Sequence, residues 1–183
     1  MAARGRCHPT YPSSLFALQF PIEEVREYAK RFPGEADDPG LALGRVARAR
    51  GYYTLSEFRT ICRWKTVRSA PLVARNTGPR VKAATTVGLR ETSSEVERMD
   101  ALRSLDGVSW PTASVLLHLA YPERYPILDW RALHALGVRD RSSYTQRFWE
   151  AYVDEYVRLV ELAGVDGRTL DQALWQWSKE QPN

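Results

Sequence analysis

Apolar residues along this chain recur mostly at three- and four-residue intervals, the period of a helix that buries one face. Ile22, Val25, Ala29 and Phe32 follow Pro21, which suits a first turn because its missing N–H needs no partner there. A first helix is predicted at that point. Thr54 to Glu57 and Ser94 to Glu97 both have the Ser/Thr-x-x-Glu pattern, in which the two side chains satisfy orphan backbone donors at a helix start. The second of these starts a helix with the stripe Val96, Met99, Leu102 and Leu105. Phe148, Tyr152, Tyr156, Val160 and Ala163 mark a long later helix. Thr169 with Gln172 reads as the cap of the last one, whose apolar face is Leu170, Leu174 and Trp177. No sustained period-two alternation, internal repeat or heptad pattern occurs, and the Gly/Pro/Asp-rich segment Pro33 to Gly40 reads as a loop. The fold class expected is all-α.

Composition narrows the class further. At 183 residues, 44% hydrophobic and 26% charged, the chain fits one domain or two small lobes on a shared core, and neither a disordered protein nor a multi-domain machine. The longest apolar stretch, Val115 to Ala120, is interrupted by His118 and falls far short of the roughly 20 residues of a membrane span. The N-terminus carries Arg4 and Arg6 and then meets Pro9 and Pro12 instead of a long apolar core. A cytoplasmic monomer with no membrane partner is expected. Cys7 and Cys62 are too few and too far apart for a zinc quartet, an iron–sulfur site or a redox motif, so two reduced thiols are expected.

The net charge of +4 conceals an asymmetry. Residues 41–90 hold eleven basic residues against the single acid Glu57, and 22 of the chain's 26 basic residues are Arg, whose planar fork grips phosphate bidentately. That is the electrostatic footprint of a polyanion site, with DNA as the leading partner. Arg runs also form solvated helix faces, so a helical interaction protein meeting an acidic partner is a rival reading. Within the segment, Lys65, Arg68 and Arg75 are candidates for phosphate contact, and Asn76 for a wedge or base reader.

The most specific stretch begins at Leu105-Asp106-Gly107-Val108-Ser109-Trp110, where one helix ends and another starts near Pro111-Thr112-Ala113. Gly107 permits a tight turn, Val108 can plug the space between the helices, and Pro111 fits a first turn. Free N–H groups at such a turn favour a phosphate oxygen without reading any base. An ordinary helix–helix corner has the same outline. After it come Tyr125-Pro126-Ile127-Leu128-Asp129-Trp130-Arg131 and Leu136-Gly137. Taken alone, Asp129 reads first as a helix N-cap, before Trp130-Arg131-Ala132-Leu133.

Hairpin and acidic segment together, in this order and spacing, resemble the helix-hairpin-helix DNA glycosylase superfamily. About 35 residues carry the match. The family's Leu-Pro-Gly-Val-Gly-x-x-Thr-Ala aligns with Leu105 to Ala113, its Phe-Pro-Val/Ile-x-Asp with Tyr125 to Asp129, and Gly107 and Asp129 stand 22 positions apart. The resemblance implies a two-lobed helical fold, with a hairpin lobe at residues 51–137 and a second lobe from residues 1–50 and 138–183. It implies that Asp129 is the catalytic carboxylate, that Gly107, Val108, Ser109, Thr112 and Arg131 contact DNA, and that Trp110 and Trp130 meet an extruded base. It also implies a monovalent cation, K+ or Na+, on the main-chain carbonyls of Arg103, Leu105 and Val108, and no other cofactor.

The departures from the pattern carry expectations of their own. Asp106 replaces the usual Pro and Ser109 the second hairpin Gly. Pro111 stands where strand-cleaving members carry a Schiff-base lysine, which implies a monofunctional enzyme unless Lys65 or Lys82 reaches the pocket by another route. The four cysteines of the iron–sulfur branch are missing. The target base is open among alkylated, oxidised, mismatched and hypermodified phage bases, so base excision repair and defence against phage DNA are both open roles. A non-catalytic helix-hairpin-helix DNA-binding module is the alternative to an enzyme.

Overall fold

A computed structural model describes residues 15–34, 39–139 and 143–182. Within them the chain is all helical, with α1 (Val25–Lys30), α2 (Pro39–Arg50), α3 (Leu55–Lys65), α4 (Ala70–Val73), α5 (Gly78–Leu89), α6 (Glu95–Arg103), α7 (Trp110–Ala120), α8 (Trp130–Ala135), α9 (Gln146–Ala163) and α10 (Gly167–Glu180). Short 3-10 turns precede α1 and α4. Both expected capping boxes form, at Thr54 with Glu57 and at Ser94 with Glu97. The long helix α9 starts on Thr145 and stops at Gly164, which takes the left-handed conformation.

Helix α7 is the axis of the fold, buried from Thr112 to Ala120, with α2, α3, α5 and α6 packed around it. Helices α1 and α8 pack on α10, and the backbone at Ala17 and Gln19 hydrogen-bonds to the carbonyls of Leu136 and Ala135 at the end of α8. These packing groups cross the boundaries expected at residues 50 and 138. Helix α2 precedes residue 51 yet packs on α7, and α8 precedes residue 138 yet packs on α10. A Cβ on Gly44 would overlap the Leu119 carbonyl, so α2 and α7 meet at backbone distance and no side chain fits between them. One continuous core joins both groups.

Some local expectations are corrected. Val96 is 47% exposed, so the buried stripe on α6 is Met99 and Leu102 with Leu105 beyond its end. The position turned inward on the first turns is Arg98, whose guanidinium donates to the carbonyls of Gly88, Arg90 and Ser93 and closes the α5–α6 connection. Thr169 does not cap α10. Asp166 does, because its two carboxylate oxygens take the Thr169 N–H and hydroxyl, each at 2.8 Å. Of the expected loop at Pro33 to Gly40, residues 35–38 lie outside the described residues, and Pro39 and Gly40 belong to α2. Cys7 and the N-terminal segment to Tyr11 also lie outside them. No helix among the described residues is long and apolar enough to cross a membrane.

Candidate functional site

The segment that carries Asp129 is pinned at nearly every step by α6, α7 and α9. His118 on α7 donates from Nδ1 to the Tyr125 carbonyl at 2.8 Å, and the Tyr125 hydroxyl donates to Glu95 at 2.7 Å. Tyr152 on α9 donates to the Ile127 carbonyl at 3.0 Å, and the Leu128 N–H donates to the Ser114 hydroxyl on α7 at 2.8 Å. Asp129 follows, with Oδ1 accepting the Ala132 N–H at 2.8 Å as the N-cap of α8. The cap is therefore the same side chain as the candidate site residue, and capping fixes where the second carboxylate oxygen points.

That second oxygen faces a cation. Lys65, the last residue of α3, brings Nζ to 3.8 Å from Asp129 Oδ2, and the two side chains are only 15% and 22% exposed. Burial pushes the Asp129 carboxyl above its usual range. The Lys65 ammonium opposes the shift, the negative charge of Asp171 reinforces it, and the N–H groups of Ala132 and Arg131 oppose it without cancelling it. Asp171 on α10 is itself paired with Arg168 at 2.6 Å. The result is a half-enclosed carboxylate with one ammonium beside it and a protonation equilibrium shifted toward neutral pH.

The α6–α7 turn lies against α4. Gly107 has φ +80°, and a Cβ there would sit 2.9 Å from the Val73 Cγ2 and 3.0 Å from its nitrogen, so only glycine fits. The Val108 side chain is buried, and its N–H is used by the Leu105 carbonyl at 3.1 Å. The donors left without a partner at this turn, among the described residues, are the N–H groups of Gly107, Ser109, Trp110 and Thr112, and Ser109 is the exposed N-cap of α7 with no side-chain cap bond. Asp106 is paired with Arg80 at 2.7 Å, so its negative charge on the turn is countered by a guanidinium. Of the three carbonyls expected to hold a cation, that of Leu105 already accepts the Val108 N–H.

Several expected contact residues serve the fold instead. Asn76 is buried, its amide donating to the Val73 and Asp106 carbonyls at 3.0 and 2.9 Å while its oxygen accepts the Asp106 N–H at 3.0 Å. It clamps the hairpin, and no donor remains to read a base. Asn76→Ala is expected to cost about 1–3 kcal/mol by stranding the Asp106 peptide groups, read as a lower thermal midpoint. Trp110 is buried, covered by the Arg103 guanidinium at 4.3 Å and packed toward Trp149, so its ring is not open to a ligand. The Thr112 side chain is buried as well, leaving only its backbone at the turn. Lys65 points inward to Asp129 and not to the surface. Lys82 sits over the Tyr52 ring at 4.7 Å.

Other expected residues are open. Trp130 is 57% exposed directly after Asp129, and Arg131 lies between the rings of Trp130 and Trp175, at 4.3 and 5.0 Å. Arg68 and Arg75 are exposed, and neither has a carboxylate partner among the described residues. Cys62 is buried, its thiol pushed up to about 12 by that burial, which makes it inert. No group of three His, Cys, Asp or Glu able to hold a metal occurs among the described residues. Ser114, Tyr152 and Asp171 shape the site without a motif that marks them for it. Ser114 left one signal, a hydroxyl on a helix face it shares with Trp110, Pro111, Leu117 and His118. No known family model, curated protein or solved structure matches this chain.

Proposed function

We propose that this protein is a DNA glycosylase of the two-lobed helix-hairpin-helix type, hydrolysing the bond between a modified or damaged base and deoxyribose. The observation that carries the reading is Asp129, rigidly held, half-enclosed, paired with Lys65, and preceded in the chain by a glycine hairpin with unpartnered N–H groups. In the reaction the C1′–N bond breaks, its electron pair leaves with the base, and positive charge develops on the sugar. The Asp129 carboxylate opposes that charge in a water-poor setting and accepts the proton of the water whose oxygen bonds to C1′. The products are free base and an abasic sugar. The target nucleotide leaves the stack first, and the exposed Trp130 face beside Asp129 is suited to meeting it or its neighbour. Gly107, Ser109 and the exposed cations Arg68 and Arg75 hold the phosphates.

Pro111 has no amine, which favours simple hydrolysis. A second reading rests on one distance, the 3.8 Å between Lys65 Nζ and Asp129, which makes Lys65 the candidate amine for condensing with a sugar aldehyde. Single-turnover excision on duplex and single-stranded DNAs with alkylated, oxidised, mismatched and hypermodified bases, scored by mass of released base, tests the proposal. Release that leaves an alkali-labile abasic site supports it. DNA binding with no release from any substrate makes the protein a binding module, and no salt-sensitive DNA affinity makes the basic face a site for an acidic protein.

A further inference from the structure

Helix α3 has a second face that Asp129 does not use. Lys65 turns inward, while Arg59, Arg63 and Trp64 turn outward and, with Leu55, Ser56 and Thr60, line an open groove of about 720 Å³. Arg59 and Arg63 also reach the smaller hollow, about 200 Å³, over Ala70, Val73 and Ala74. Among the described residues, no carboxylate lines either space. Arg48, Arg50 and Arg80, from the same basic stretch, are each paired with a Glu or Asp, whereas Arg63 has no partner among the described residues. Arg59 donates from Nη2 to the Ala74 and Asn76 carbonyls at 3.0 and 3.5 Å, and keeps Nε and Nη1 as donors.

Trp64 is 55% exposed, and among the described residues it is the one tryptophan with neither a ring nor a cation packed on it. The helix thus presents two adjacent rows, Arg59 with Arg63 and Thr60 with Trp64, each pair four residues apart and on one face. One row is cationic and forked; the other ends in a bare indole. An unpaired nucleotide has both matching parts, a phosphate and an uncovered base face, while in a duplex the base faces are covered by their neighbours.

We propose that the α3 groove binds an unpaired nucleotide, with its base stacked on Trp64 and its phosphate held by Arg63 and Arg59. Asp129 does not line this groove, and binding there does not depend on base excision. The full chain is titrated into a fluorescein-labelled single strand of about eight deoxyadenosines, followed by anisotropy. Trp64→Ala is expected to weaken binding about 5- to 150-fold, the range for losing one stacked base. Arg63→Gln is expected to weaken it and to flatten the dependence of log affinity on log salt by about 0.7. Both side chains are exposed, and circular dichroism confirms that the variants fold.

Displacement of the strand by dAMP identifies the mononucleotide as the recognised unit. Trp64-dependent strand binding that dAMP does not displace identifies the polymer. Wild-type affinity in both variants, or duplex of the same length binding as tightly as the strand, overturns the proposal. Repeating the titration in Asp129→Asn keeps the two readings apart, because the groove is tested there even where no DNA ever loses a base.

Discussion

Asp129→Asn is expected to lower single-turnover base release about 10²- to 10⁴-fold while leaving the fold and DNA affinity in place. The substitution is informative because it separates the cap that Asp129 forms from the chemistry proposed for it. Its Oδ1 caps α8 through the Ala132 N–H, and an asparagine oxygen accepts that bond equally well. What asparagine lacks is the charge, and charge is what a sugar cation and a departing water proton require. Asp129→Ala removes both and is expected to add about 1 kcal/mol of helix destabilisation to the same catalytic loss. Equal excision by wild type and Asp129→Asn, on any DNA that loses a base, would remove Asp129 from the chemistry and leave it as a cap. Thermal unfolding of both variants, measured beside excision, separates lost chemistry from lost structure.

Much of the helical layout is legible in the sequence because helix starts are local. Thr54 with Glu57 and Ser94 with Glu97 satisfy backbone donors only a few residues away, and no distant partner is needed to recognise them. Helices α2 and α5 escape the same reading. One opens on Pro-Gly and the other on Gly-Pro, which punctuate loops, and α2 then contacts α7 through Gly44, where the signal is a missing side chain. The site divides in the same way. Gly107 is readable because its positive φ is a property of the residue itself. The destinations of Asn76 and Lys65 are not, because each is decided by a residue far along the chain, Asp106 for the one and Asp129 for the other. A donor in a basic segment looks like a phosphate ligand until the fold supplies a closer acceptor.

Lys65→Met is expected to move the acid limb of the excision rate to higher pH, while Lys65→Arg restores it. Burial already raises the Asp129 carboxyl above its usual range, and the nearby ammonium is the largest influence holding it down. Without that charge the carboxyl is protonated over a wider range, and each pH unit below the new limb costs roughly tenfold in rate. The sign for stability is the same. A carboxyl whose folded pKa lies above its unfolded value makes ionisation a cost to the native state above that pKa, and the cost is relieved as pH falls through it. Lys65→Met enlarges the cost, so its stability deficit against wild type is expected at neutral pH and is recovered on acidification. Arginine keeps the charge but has no amine able to condense with an aldehyde. Rescue of both rate and pH limb by Lys65→Arg therefore assigns Lys65 to positioning and charge. Failure of arginine to rescue, together with a borohydride-trapped adduct between wild type and abasic DNA that vanishes in Lys65→Met, assigns it to covalent chemistry and makes the enzyme strand-cleaving.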